Sequence, residues 1–263
     1  LVEQELARRA AAGEPQPKAI ELVHVLGQPA DRRVVEIAQA YDVPVVEDAA
    51  ESLGAGWSDA GQSWQSTGTV GLLGAFSFNG NKIVTAGGGG MIVTDDADLA
   101  ARARHLTTQA KVPDVGYLHD EVGYNYRLTN LAAALGLAQL RRLDEFVAAK
   151  QRIAQRYDEA FAELSLTLPP RLPGADATYW LYSVLLADEA ERQAMHAHLQ
   201  DKGVGARPLW RPLHLQPPFA SAPRVGGDVA ASLFERGLSL PCSTDLTDSD
   251  QERVIEAVLS FFG

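Results

Sequence analysis

Lys82 stands in AFSFNGNKIVTAGGGG (Ala75–Gly90), between an aromatic-rich run and four consecutive glycines. Two acids, Glu47 and Asp48, close the short apolar run VPVVED. Four chemistries are open to such a lysine. It can be a solvated loop cation, the ordinary state of most lysines. It can accompany a glycine loop that cradles phosphate, although the glycines after Ala86 have neither the GxxxxGK[ST] order nor a GxGxxG between a first strand and a helix. It can clamp a substrate carboxylate as an ammonium group. It can also act as a nucleophilic amine and form a Schiff base with an aldehyde.

The fourth chemistry, with pyridoxal phosphate as the aldehyde, needs an amine, an acid that keeps the pyridine nitrogen protonated, donors for the phosphate, and backbone without side chains where the cofactor lies close. All four are present. Lys82 supplies the amine, and Asp48, at an expected strand end, can pair with the ring nitrogen and favour its protonated form. Ser77, on the run leading to Lys82, can donate its hydroxyl to the phosphate.

The elements that must position these residues alternate. IELVHVL (Ile20–Leu26) has strand character, RRVVEIAQAY (Arg32–Tyr41) carries apolar residues near helical spacing, and VPVVED is a second short strand. Strand, helix, strand predicts a parallel sheet covered by helices, whose ligands gather at the carboxyl ends of the strands. A Gly- and Ser-rich loop over Gly54–Gly74 leads to the strand AFSF; GGGGMIVTDD contains another strand, and a helix follows over Asp98–Leu106. Leu128–Leu164 is apolar at three- and four-residue spacing. It is long for one helix, so a break is expected near Leu143–Glu145, with the second part connecting to another domain.

Beyond Pro169 and Pro170 the texture changes. YWLYSVLL reads as a strand, DEAERQAMHAHLQDKG as a helix ending at Gly203, and ARPLWRPLHLQPPF as a Pro/aromatic loop. A last helix spans Asp250–Phe261, with Thr247 and Asp250 in capping-box-like spacing. The expected division is a large domain over 1–145 and a smaller α+β domain over 146–263 that includes the connecting helix.

A chain of 263 residues with 46% hydrophobic and 22% charged residues buries a substantial core. The formal net charge of -11 argues against a general nucleic-acid or anionic-membrane surface, so an anionic ligand must be held locally. The single cysteine, Cys242, excludes an internal disulfide and any metal site built from several thiolates, and it fits a reducing cytoplasm. No apolar run approaches the roughly 18 to 20 residues needed to cross a bilayer. The residues call for no metal.

Taken together, VVEDAAESLGA (Val45–Ala55), GAFSFNGNKIVTAGGGGMIVTDD (Gly74–Asp96) and VGYNYRLTNLAAALGLAQL (Val122–Leu140) resemble the DegT-type sugar aminotransferases, which are pyridoxal-phosphate enzymes of fold type I. VHVLGQPAD (Val23–Asp31) and RPLWRPLHLQ (Arg207–Gln216) extend the likeness over essentially the whole chain. The resemblance implies an α/β large domain with a mostly parallel central sheet, plus a smaller C-terminal α+β domain.

It also implies roles at matching positions. Lys82 would be the Schiff-base lysine and Asp48 the partner of the ring nitrogen. Glu51 falls where many members carry Gln near the cofactor's phenolic oxygen, and EDAAES is similar to the subgroup acting on UDP-linked 4-keto-6-deoxy-N-acetylamino sugars. Ser77 would bind the phosphate. Asn125, in GYNYR, would reach the phosphate of a neighbouring subunit's cofactor, implying a homodimer with shared active sites. A member is expected to carry, before the point matching Leu1, further large domain with a Gly/Ser/Thr phosphate-binding turn and a stacking aromatic residue; neither is visible in these residues.

The implied reaction moves an amino group from a donor, by family analogy glutamate, to the keto carbon, C4, of a nucleotide-linked sugar in two half-reactions. Arg211 and His214 are candidate partners of the substrate diphosphate, because guanidinium pairs with phosphate oxygens; equally, Trp210, Pro212 and Leu213 can simply pack the small domain with Arg211 and His214 exposed. His24 receives no assignment. For His119, local hydrogen bonding and approach to the site are both open. A non-catalytic pyridoxal-phosphate-binding regulator of the same fold is the alternative function. Lys82 speaks against a dehydratase variant, in which that lysine is replaced.

Overall fold

The computed structural model describes residues 1–58, 63–113 and 115–263. Helix α1 (Val2–Ala12) precedes strand β1 (Ile20–Val23), helix α2 (Arg33–Ala40) and strand β2 (Val45–Asp48). Short strands β3 (Gly56–Trp57) and β4 (Gln65–Ser66) come next, followed by β5 (Leu73–Ser77), β6 (Gly90–Val93), α3 (Ala97–Thr107), α4 (Asn130–Leu140) and α5 (Leu143–Phe161). The chain continues through β7 (Ala175–Asp176), β8 (Tyr182–Leu185), α6 (Glu189–Asp201), β9 (Arg207–Pro208), α7 (Asp228–Arg236), β10 (Gly237–Leu240) and α8 (Asp248–Phe262). No helix among the described residues is long and apolar enough to cross a membrane.

Two compact units result. One comprises Arg9–Val147 with Pro173–Thr178; the other comprises Leu1–Arg8, Ala148–Leu172 and Tyr179–Gly263. Helix α5 runs across the boundary at Val147. Relative to the domain division expected at 145, Leu1–Arg8 groups with the C-terminal unit, and Phe146–Val147 and Pro173–Thr178 group with the N-terminal one.

In the unit built on Arg9–Val147, a sheet of order β1-β2-β5-β6 pairs its first three strands in parallel and β6 antiparallel to β5. This is the mostly parallel sheet that the sequence resemblance implies. Alternation along β2 buries Val45 and Glu47 and leaves Val46 and Asp48 partly open, as the period of two in a strand demands. The ladder continues past the strand ends, with His24 N–H donating to Asp48 O at 3.0 Å and Ala49 N–H to Ala75 O at 2.9 Å. The carboxyl ends of β1, β2 and β5 are therefore tied at one level. A second sheet, of order β4-β3-β7, is wholly antiparallel.

Two expectations are corrected here. The strand expected through Leu26 stops at Val23, and Val25–Gly27 forms a 3-10 turn in which Leu26 adopts φ 59° and ψ 17°. Apolar character alone does not separate a strand from the turn that ends it. The break in the long helical segment falls at Arg141–Arg142, just before the expected Leu143–Glu145. Helix α4 begins where Thr129 Oγ1 accepts from Ala132 N–H, the ordinary N-cap bond.

The other unit carries an antiparallel sheet of order β8-β10-β9, with α6 packed on α7, α8 and β10. Its core holds Tyr157, Phe161, Tyr182, Met195, Leu199 and Leu238, all fully buried. Tyr157 and Phe161 stack with centroids 5.4 Å apart, and Tyr157 meets Tyr182 at 4.9 Å. Tyr157 Oη donates to Pro241 O at 2.7 Å and Tyr182 Oη to Asp158 at 2.8 Å, so both phenols are satisfied. The expected cap of α8 is present: Thr247 Oγ1 accepts from Asp250 N–H at 3.1 Å. Strand β10 went unread in the sequence because GLSL is too short to show a period.

Candidate active site

The loop joining β5 to β6 is folded onto itself. Phe78 N–H donates to Gly89 O and Ala86 N–H to Phe78 O, both at 2.9 Å, while Ile83 and Val84 are buried. These bonds hold the backbone of Lys82 at the carboxyl end of the sheet. Gly87 and Gly89 both adopt φ near +80°, and a Cβ on Gly89 would lie 2.6 Å from Leu128 Cδ1. Glycine at these two positions is thus a conformational need of the loop.

The structure brings Lys82 to Glu51. Lys82 Nζ lies 3.8 Å from Glu51 Oε1, with the two side chains only 14% and 18% exposed. The other oxygen, Oε2, accepts Leu26 N–H at 2.7 Å. Burial pushes the Glu51 carboxyl above the usual carboxylate range; the Leu26 N–H and the Lys82 ammonium oppose this, and the Asp48 charge adds to it.

Asp48 ends β2, and its Oδ1 accepts Ala50 N–H at 2.9 Å. Ser77 ends β5, which neighbours β2 in the sheet, and its Oγ accepts Asn79 N–H at 3.3 Å. Asp48, Ser77 and Lys82 therefore gather at one end of one sheet, where parallel α/β sheets bind ligands.

Under this end sits a pair that the sequence did not disclose. His24 and Glu47 are both wholly buried, with Nε2 and Oε1 3.0 Å apart. His24 Nδ1 accepts Ala30 N–H at 3.0 Å, which leaves Nε2 as the protonated nitrogen that donates to Glu47. Glu47 also accepts the N–H groups of Gly68, Val70 and Gly71 at 2.6–2.9 Å. Burial alone would raise its carboxyl, but the bonds from His24, Gly71, Gly68 and Val70 outweigh it and hold the group below its usual range. No signal marks such a pair, whose members are twenty-three residues apart.

Asn125 stands apart. Its segment is pinned to the end of α3, where Tyr124 N–H donates to Leu106 O and Tyr126 N–H to Thr107 O. Its side chain is exposed and joins none of the Lys82 contacts among the described residues. A cleft of about 480 Å³ is lined by the Gly88–Gly90 backbone together with Tyr126, Leu128 and Ala132. His119 is engaged locally, through Nδ1 to Gln109 O at 2.7 Å.

Arg211 and His214 belong to the other unit. The Arg211 guanidinium lies 5.4 Å from the Phe234 ring centroid, and the His214 ring lies against Gly227. His214 Nε2 is buried without a hydrogen-bond partner among the described residues. Trp210 stacks nearly parallel on the buried Trp180 at 5.9 Å, yet remains 55% exposed. It only partly packs the small domain.

A cation site offers itself at His105, Asp120 and Glu121, whose ligand atoms lie within 4.8 Å of one another. However, the Arg102 guanidinium already pairs with Glu121, and His105 with Asp120 at 2.7 Å, so the charges are met internally.

The α/β unit with its mostly parallel sheet, carrying a partly buried lysine beside a carboxyl at the strand ends, has the architecture of fold type I. The chain belongs to the DegT/DnrJ/EryC1/StrS aminotransferase family, whose model matches residues 2–259. It is 41% identical over 252 residues to EpsN of Bacillus subtilis (strain 168), and 39% identical over 249 residues to the GDP-perosamine synthase of Caulobacter vibrioides. These alignments cover 94% and 93% of the chain, and the chain spans only 64% and 66% of those two relatives. Among solved structures it superposes on a DegT DnrJ EryC1 StrS aminotransferase from Brucella abortus with a TM-score of 0.89 at 31% identity, covering all of this chain and 70% of that one.

Aminotransferases of this family depend on pyridoxal 5′-phosphate. The chemistry of the residues fits it: an amine at Lys82, a carboxylate at Asp48 and a hydroxyl at Ser77 stand at one end of one sheet, the groups an aldehyde, a ring nitrogen and a phosphate would need.

Proposed function

We propose that this protein is a pyridoxal-phosphate-dependent aminotransferase that moves an amino group from glutamate to the keto carbon, C4, of a nucleotide-linked deoxysugar. The observation that carries the reading is the placement of Lys82 Nζ, partly buried and 3.8 Å from Glu51, above the strand ends that present Asp48 and Ser77. Relatives named as GDP-perosamine synthases support a sugar substrate. The reading of a non-catalytic regulator finds no support among them.

When bound, the cofactor supplies an electron sink for the carbon that loses a proton. Asp48 pairs its carboxylate with the ring nitrogen and keeps that nitrogen protonated. Ser77 donates its hydroxyl to the phosphate. Lys82 would hold the aldehyde carbon, and its Nζ would carry a proton to and from the donor's α-carbon, a role that typically contributes about 10² to 10⁴ in rate. Glu51, 3.8 Å from Lys82 Nζ, would face the phenolic side of the ring.

Asn125 contributes to the site of a second copy. This accounts for its exposure here and for α4, an apolar helix with no buried residue, whose Leu131 is 87% exposed. Arg211 and His214 hold the diphosphate of the substrate. The protein works in the cytoplasm, in keeping with a lone, reduced cysteine.

The test is the absorption of purified protein supplied with pyridoxal phosphate, wild type and Lys82→Ala. A band near about 410–430 nm that moves to about 330 nm on adding glutamate, and does neither in the mutant, is expected. A wild-type protein that folds but develops no band overturns the reading.

A further inference from the structure

Glu51 makes two unlike contacts, and neither of its neighbours is ordinary. Oε2 is held at 2.7 Å by the N–H of Leu26, a non-glycine residue at φ 59°. A left-handed leucine costs on the order of 1 kcal/mol or more and persists only where its surroundings impose it. Here the strained turn directs a backbone donor at the carboxyl and immobilises it. Oε1 is left facing Lys82 Nζ at 3.8 Å, beyond a hydrogen bond but within the reach of a small rotation of the lysine arm. Hydrogen bonds that serve catalysis are often long before the ligand binds. The charged groups facing Glu51 among the described residues are Lys82 and Asp48. Burial raises the Glu51 carboxyl, which makes it a better proton acceptor than an exposed glutamate.

Resting on the aminotransferase reading, we propose that Glu51 is the proton-exchange partner of Lys82, accepting the ammonium proton so that Nζ can attack an aldehyde and returning it to the departing oxygen. The step balances. One N–H proton passes from the Lys82 ammonium to Glu51 Oε1, and the freed lone pair forms the N–C bond to the carbonyl carbon. The adduct then loses its hydroxyl oxygen as water, taking the proton back from Oε1, and a protonated C=N bond remains with Glu51 again a carboxylate. The Leu26 N–H bonds the other oxygen throughout and keeps Oε1 aimed at Nζ.

The experiment mixes the protein with pyridoxal phosphate, quenches with borohydride at timed intervals, and measures by mass spectrometry the label on the Lys82 peptide between about pH 6 and 9. Glu51→Gln keeps an oxygen for the Leu26 N–H and removes only the proton acceptor. Capture by Glu51→Gln is expected to be about 10²-fold slower near neutral pH, with the deficit closing as pH rises and solvent takes the proton instead. Glu51→Asp, with a shorter reach, should recover part of the rate, and it serves alone should the glutamine variant fail to fold. Equal rates in wild type and Glu51→Gln, or a deficit that does not change with pH, overturn the proposal. Label on other lysines but not on Lys82 in the wild type would instead sink the aminotransferase reading itself.

Discussion

His24 Nε2 and Glu47 Oε1 meet at 3.0 Å in a position closed to solvent, directly behind the strand end that carries Asp48. The same carboxylate gathers three backbone N–H groups from Gly68, Val70 and Gly71. One anion therefore fixes both the end of β1 and the loop entering β5. Glu47→Gln replaces one acceptor oxygen with a donor facing these N–H groups. It is expected to destabilise the protein by about 3 kcal/mol, read as a lowered denaturation midpoint in urea.

Acid sensitivity follows from the same residue. The Glu47 carboxyl is held below its ordinary range in the folded protein. A depressed carboxyl contributes stability that is fully present above its unfolded value, about 4.3, and is lost as pH falls through the folded value. Denaturation midpoints measured from about pH 6 downward should drop more steeply for the wild type than for Glu47→Gln once the pH passes below about 4.

Gly89→Ala tests the lysine loop. Its φ of +80° and the 2.6 Å approach of Leu128 oppose any Cβ. A loss of about 1–2 kcal/mol is expected from the backbone conformation. Because Gly89 O accepts Phe78 N–H, capture of pyridoxal phosphate by Lys82 should fall together with stability.

Helix α4 offers Leu131, Leu135 and Leu137, which are 87%, 45% and 52% exposed. Leu131 and Leu135, one turn apart, share one side of the helix, and so much exposed apolar surface marks a contact surface. On the dimer proposed above, Leu131→Glu is expected to yield a slower-associating or monomeric form in sedimentation velocity, with its circular dichroism unchanged. An unaltered sedimentation coefficient would exclude this face from the dimer interface.

For the substrate contacts, Arg211→Ala should raise KM for a nucleotide keto-sugar about tenfold with little change in kcat, since it removes binding that is equal in ground and transition states. Arg211→Lys should recover only part of the loss, because a point charge lacks the paired donors of the guanidinium.

The parts of the site legible in the sequence were those carried by residue type at short range. Asp48 after an apolar run marks a strand end, Lys82 among glycines marks the loop beyond one, and Thr247 three residues before Asp250 marks a helix cap, because strand ends and caps are local events. The boundary at Val23 was misread, since a 3-10 turn built on a left-handed leucine has no composition of its own. Strands β3, β7 and β10 also escaped, being two to four residues long and defined by partners far along the chain.

The order of strand and helix in the sequence was enough to set a parallel sheet, and with it the placement of Lys82, Asp48 and Ser77 at one sheet end. Tertiary structure alone decided their electrostatics. Whether Glu51 is an exposed acid or a buried one clamped by Leu26, and whether Glu47 is a solvated neighbour of Asp48 or an anion sealed against His24, depends on contacts across twenty or more residues. Desolvation and hydrogen-bond geometry are properties of the packed interior, so they exist only once the chain has folded.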